Sequence, residues 1–98
     1  MKVVLSEEAK ADLREISLFI ARDNKERARS FVRELQAKAQ GIGTMPRTFP
    51  LVPRYEHYGI RRRPFRDYLL FYRIEEDSVV IVHILHAARN YEAVLFPQ

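Results

Sequence analysis

Two apolar runs in the last third of the chain limit its fold more than any other feature. The first is Asp67-Tyr-Leu-Leu-Phe-Tyr-Arg-Ile74 and the second is Ser78-Val-Val-Ile-Val-His-Ile-Leu-His86. Both are rich in β-branched and aromatic residues, and together they read as a β-hairpin. Glu75-Glu76-Asp77 between them is too polar to bury and marks the turn. On the first strand Tyr68, Leu70, Tyr72 and Ile74 alternate with Leu69, Phe71 and Arg73. On the second Val80, Val82, Ile84 and His86 alternate with Val79, Ile81, His83 and Leu85. Strands apolar on both faces are central and covered on both sides. The rest of the chain must supply that cover.

Upstream, Lys2 to Leu5 is a short strand, and Ser6 is placed to cap a helix by accepting from a free N–H of its first turn. Glu7 and Glu8 suit the positive end of that helix's dipole. Ala9, Leu13, Ile16 and Ile20 form its apolar stripe, which Phe19 widens, and it ends near Arg22-Asp23. Asn24 caps a second helix with the stripe Ala28, Phe31, Val32, Leu35, Ala39 and Ile42. Gly41 and Gly43 are its stop signals, through the left-handed conformation glycine adopts. The short link makes the two helices an antiparallel hairpin. Thr44 to Tyr58 is a loop broken by Pro46, Pro50 and Pro53, with Phe49 and Leu51 pinning it to the core. Gly59 to Arg63 is a strand edged by Pro64, and Asn90 to Gln98 is a tail whose Tyr91, Val94, Leu95 and Phe96 can dock.

The order β-α-α-β-β-β predicts an α+β domain spanning residues 1–98. It has an N-terminal strand, a helical hairpin and a three-stranded antiparallel sheet, with both helices on one sheet face. The second face is then the open question. Either the tail and proline loop wrap beneath it or a partner does, and an uncovered face would be a binding surface.

Composition narrows the function classes. The 98 residues fit one domain. Without cysteine there is no disulfide framework and no thiolate metal site, which suits a reducing cytoplasm. No apolar run approaches the ~20 residues of a membrane span, and Met1-Lys-Val-Val-Leu-Ser is too short for a signal peptide core. The net charge of +4 favours an acidic partner, nucleic acid or protein.

The densest chemistry is Arg54, Arg61, Arg62, Arg63 and Arg66 against the single acid Glu56. In an extended strand Arg61 and Arg63 point one way and Arg62 the other. Guanidinium groups grip phosphates and carboxylates, and Tyr55, Tyr58, Phe65 and Tyr68 among them suit stacking on bases. A strand edge kept soluble by charge explains the same pattern. His83 and His86 sit three apart on a strand and face opposite sides, so they do not converge on a metal, and none is expected. His86, at the strand's end beside Arg89, is placed for acid–base work or for a structural hydrogen bond. Neither a Ser/His/Asp pattern nor a Gly-rich phosphate loop is present, and no cofactor is expected.

Asp67-Tyr-Leu-Leu-Phe-Tyr-Arg-Ile74, the acidic turn and Ile84-Leu-His-Ala-Ala-Arg89 resemble the RelE/ParE superfamily of type II toxins, most closely its ParE branch. The opening strand and Ser6-x-x-Ala9-x-x-Asp12-Leu-x-x-Ile16 extend the resemblance over nearly the whole chain. It implies a cytoplasmic toxin that poisons DNA gyrase and is held by a cognate ParD-like antitoxin. Target contact would fall to Arg61, Arg62, Arg63, Arg66, His86 and Arg89. The antitoxin would fill apolar grooves at Leu13, Ile16, Ile20, Phe31, Leu35, Tyr68 and Tyr72. RelE-like relatives instead cleave mRNA on the ribosome, and on that alternative Arg66, His86 and Arg89 would be catalytic. Leu69 and Leu95 stand where such enzymes carry polar groups, which argues against cleavage and leaves no catalytic residue on the leading reading. A relative that only binds its partner is the third possibility.

Overall fold

A computed structural model describes residues 1–97, so Gln98 of the expected tail lies outside the described residues. Strand β1 (Lys2–Leu5) leads into helix α1 (Glu7–Ala21) and helix α2 (Lys25–Ile42). Strands β2 (Ile60–Phe65), β3 (Tyr68–Ile74) and β4 (Ser78–His86) follow, and the short helix α3 (Tyr91–Leu95) comes last. The sheet has four strands in the order β1-β4-β3-β2. The hairpin strands pair antiparallel as expected, while β1 joins the sheet parallel to β4. Parallel neighbours need a long crossover, and the helical hairpin provides part of it.

Both predicted caps form. The Ser6 hydroxyl accepts from the Ala9 N–H at 3.1 Å and donates to the Val82 carbonyl at 2.9 Å, so the cap also ties α1 to β4. Asn24 accepts from the Arg27 N–H at 2.9 Å. The glycine stops act differently from expectation. α2 runs through Gly41, and Gly43 is right-handed at φ −61°. Gly43 is needed for space instead: a Cβ there would collide with the Met1 carbonyl oxygen and crowd Val3. The left-handed glycine is Gly59, at φ 73°, which closes a 3₁₀ turn over Glu56–Tyr58.

Two cores sandwich the sheet. Ile16, Phe31, Leu35, Ala39 and Ile42 from the helices meet Leu70, Tyr72, Val79, Ile81 and Ile84 on one face. Val52, Leu69, Phe71, Leu85 and Phe96 form the second core, with Tyr55, Val82, Tyr91, Val94 and Leu95 packed against it. The proline loop and the tail therefore cover the second face, the first of the two alternatives. Tyr72, fully buried, donates its hydroxyl to the Pro46 carbonyl at 2.6 Å and anchors the loop's other end.

The predicted alternation holds on β3 and fails on β4. Phe71 pairs with His83 while Tyr72 pairs with Ile81, leaving Val82 as an extra residue. Such a bulge shifts the side-chain parity by one. Ile84 therefore shares the helix-facing core with Val79 and Ile81, and Val82 and Leu85 share the other. Phe19 also departs from expectation: it is 64% exposed and does not widen the buried stripe of α1.

Candidate functional site

The two edges of the sheet differ in what they offer a partner. β1 pairs with β4 on one side and has no second strand partner among the described residues. Beside it, between α1 and α2, runs a groove of about 570 Å³. Val4, Leu5, Leu13 and Val32 make it apolar, with Lys10, Arg14, Ser17 and Gln36 among its lining. A short strand with a free edge and an apolar groove is the geometry of strand addition and helix docking.

Of the residues expected to meet an antitoxin, Leu13 lines this groove, while Ile20 and Tyr68 are half-buried and pack against the core. Ile16, Phe31, Leu35 and Tyr72 are buried in the helix-facing core. An apolar helical stripe marks burial without saying whether the chain or a partner does the burying. Val4, Leu5, Lys10, Arg14 and Val32 complete the lining of the groove. The Lys10/Arg14 pair at helical spacing beside Leu13 is the sequence signal for a basic rim to this groove.

At the opposite edge the arginines diverge as the strand alternation predicts. Arg61 donates to the Phe49 carbonyl at 2.7 Å and to that of Arg47 at 3.3 Å. Arg63 lies 4.8 Å over the Phe49 ring and donates to the Pro64 carbonyl at 2.7 Å. Arg62 points to the other face and donates to the Tyr91 hydroxyl at 2.6 Å, fastening α3. Arg54 pairs with Glu92 at 3.1 Å. Arg66 reaches α2, where its Nη2 meets Glu34 at 2.6 Å while Arg27 meets the other carboxylate oxygen at 2.7 Å. Those two guanidinium groups, Arg66 foremost, hold the Glu34 carboxyl below its ordinary value. The arginine segment is thus several local fastenings rather than one uniform patch.

His86 and Arg89 are exposed at the end of β4. The Ala88 N–H donates to His86 Nδ1 at 3.0 Å, so that nitrogen is the acceptor and the neutral ring carries its proton on Nε2. In this form Nδ1 is engaged by the backbone and Nε2 is the donor. Tyr68 meets the His86 ring edge-on at 5.3 Å. Burial first and Asp67 second raise the Tyr68 phenol, which stays neutral. Leu69 is buried in the second core and Leu95 packs against it, so both positions are apolar in space as well as in sequence. His83 serves elsewhere: its Nδ1 lies 2.8 Å from Asp12 Oδ2, which also accepts from the Ile84 N–H at 2.8 Å. That pair joins α1 to the end of β4, and the sequence offered no signal for it. Among the described residues no group of three His, Asp or Glu side chains could hold a metal.

Comparison with known proteins adds the following. The profile of a family described as the ParE toxin of a type II toxin-antitoxin system, parDE, matches residues 3–91. Solved structures share the fold. One, described as a chromosomal ParDE TA system from P. aeruginosa, is 18% identical, with the match covering 88% of this chain and 95% of that chain at a TM-score of 0.74. At that identity the likeness is one of fold. No curated protein sequence matches the chain.

Proposed function

The chain belongs to the ParE toxin family of type II toxin–antitoxin systems, and on that premise we propose that it inhibits DNA gyrase and is neutralised by a ParD-like antitoxin. The observation that carries the antitoxin half is the apolar groove beside the unpaired edge of β1. A segment folding on binding would lay apolar side chains on Leu5, Leu13 and Val32 and acidic ones against Lys10 and Arg14. Its backbone would meet the free edge of β1. Coupled folding and binding of this kind suits a groove with apolar walls and a basic rim.

For the target we assign Arg61, Arg62, Arg63, Arg66, His86 and Arg89. Arg61 and Arg62 also position the loop and the tail, through the Phe49 carbonyl and the Tyr91 hydroxyl. Inhibition by binding rather than catalysis is supported by apolar Leu69 and Leu95. The protein acts in the cytoplasm on this reading and uses no cofactor.

The test is a gyrase supercoiling assay with the purified chain, run beside a translation reaction followed for mRNA cleavage. The proposal expects relaxed plasmid to stay relaxed, mRNA to stay intact, and supercoiling to return when a ParD-like antitoxin is added. Cleaved mRNA with normal supercoiling would overturn it.

A further inference from the structure

A second groove, of about 600 Å³, lies between the outward face of α2 and the far end of β2. Ala37 and Pro64 are exposed in it, Lys38, Arg63 and Arg66 bring three positive charges, and Glu34 brings the one acid among its lining. The Glu34 carboxylate is itself held between two guanidinium groups, Arg66 Nη2 at 2.6 Å and Arg27 Nη1 at 2.7 Å. The cluster therefore already binds a carboxylate, supplied by the chain.

Arg66 also occupies an unusual place. It begins the two-residue connection Arg66-Asp67 between β2 and β3, with φ 53°. Hairpin turns put glycine or asparagine at such positions, because a β-carbon is unfavourable there. The turn therefore has no need of an arginine side chain. Its contact with Glu34 lies at the surface, with Arg66 55% and Glu34 35% exposed. Ion pairs at that exposure contribute little to stability and exchange readily.

We infer that this groove receives an acidic segment of a protein partner, one of whose carboxylates displaces Glu34 from Arg66. The occupant is set by charge complementarity: three cations line the groove, and the group already bound between the arginines is a carboxylate. Glu34 is thereby a built-in competitor that weakens binding until a partner carboxylate replaces it. The inference goes beyond the gyrase reading and does not depend on the target's identity.

The probe is a fluorescein-labelled 12-residue peptide of alternating Glu and Ala, titrated with the full chain and read by fluorescence anisotropy. Glu34→Gln should tighten binding about two- to fivefold, the range a released surface pair allows. Glu15→Gln, an equal charge change at an exposed site on α1, should leave it unaltered. Arg66→Gly should weaken binding and abolish the gain from Glu34→Gln, while melting at the same or a higher temperature by circular dichroism. Lys38→Gln, at an exposed position in the same groove, should also weaken it without loss of stability. Three results would overturn the inference: no gain in Glu34→Gln, the same gain in Glu15→Gln, or an Arg66→Gly chain that melts lower yet binds normally. A labelled 12-base-pair DNA duplex losing more affinity than the peptide on Arg66→Gly would also overturn it, in favour of nucleic acid. If supercoiling is inhibited normally while these peptide results fail, only this inference falls.

Discussion

The two edges of the sheet solve one problem in opposite ways. At β2 the loop engages several of the outward-facing backbone groups. The Val52 N–H donates to the Ile60 carbonyl at 2.9 Å, and the Arg62 N–H donates to the Pro50 carbonyl at 3.1 Å. Pro64 has no N–H, and its carbonyl takes the Arg63 guanidinium. At β1 four residues pair with β4, and no strand beyond them uses their far side among the described residues. Edge strands are normally blunted by proline, charge or a covering loop. β2 has all three, whereas β1 has an apolar groove alongside. On the function proposed above, the open edge beside the apolar groove is the side offered to the antitoxin.

The largest expected effect concerns the face between those edges. Phe71→Ala removes a fully buried ring from the second core and should cost about 3–5 kcal/mol in denaturant unfolding. A loss under about 1 kcal/mol would mean that the loop and tail do not seal this face. Next is the open edge. Leu13→Asp should weaken capture of a ParD-like antitoxin by about thirtyfold or more, as for an interface anchor worth at least ~2 kcal/mol, and calorimetry would measure it. Equal binding would move the antitoxin's seat elsewhere.

The closed edge can be opened by design. Pro64→Val with Arg63→Ser restores an outward N–H and frees its carbonyl, so sedimentation should reveal self-association absent from the parent chain. A strictly monomeric double variant would show that the loop alone blocks the edge. Tyr72→Phe removes the hydroxyl bond to Pro46 that helps hold that loop, at a cost of about 1 kcal/mol. Burial raises the Tyr72 phenol above its ordinary 10.0, against the smaller opposing effect of Arg61. Its stabilisation is therefore complete below pH 10 and is lost as pH rises through the raised folded value. Tyr72→Phe should flatten that alkaline fall.

The smallest effect is at low pH. Glu34 is held below its ordinary 4.5 by Arg66 and Arg27, so its contribution is present above that pH and fades as pH falls through the lower folded value. Glu34→Gln should remove a slight acid-side slope in melting temperature, and an unchanged slope would show that the contact adds nothing to stability.

Much of this architecture was legible beforehand. The Ser6 and Asn24 caps, the β3–β4 hairpin and the opposed directions of Arg61 and Arg62 all follow from local rules of one or two turns. What could not be read depends on contacts between distant segments. The bulge at Val82 arises where β4 meets β3, and no residue type announces it. Gly43 reads as a helix stop, yet its constraint is the Met1 backbone far away in sequence. The tail carries only a few apolar residues without clear periodicity, so its sealing of Leu69, Phe71 and Leu85 was one of two open alternatives. The candidate site shows the same limit. Ile16, Phe31, Leu35 and Tyr72 look the same in sequence whether they meet the chain's own core or a partner.

The most direct test is hydrogen–deuterium exchange of the chain alone and with a ParD-like antitoxin bound. The account predicts new protection at Val3–Leu5 and on the α1 and α2 segments around Leu13 and Val32, with β2 amides unaltered. Protection gained along β2, with β1 exchanging as in the free chain, would contradict it.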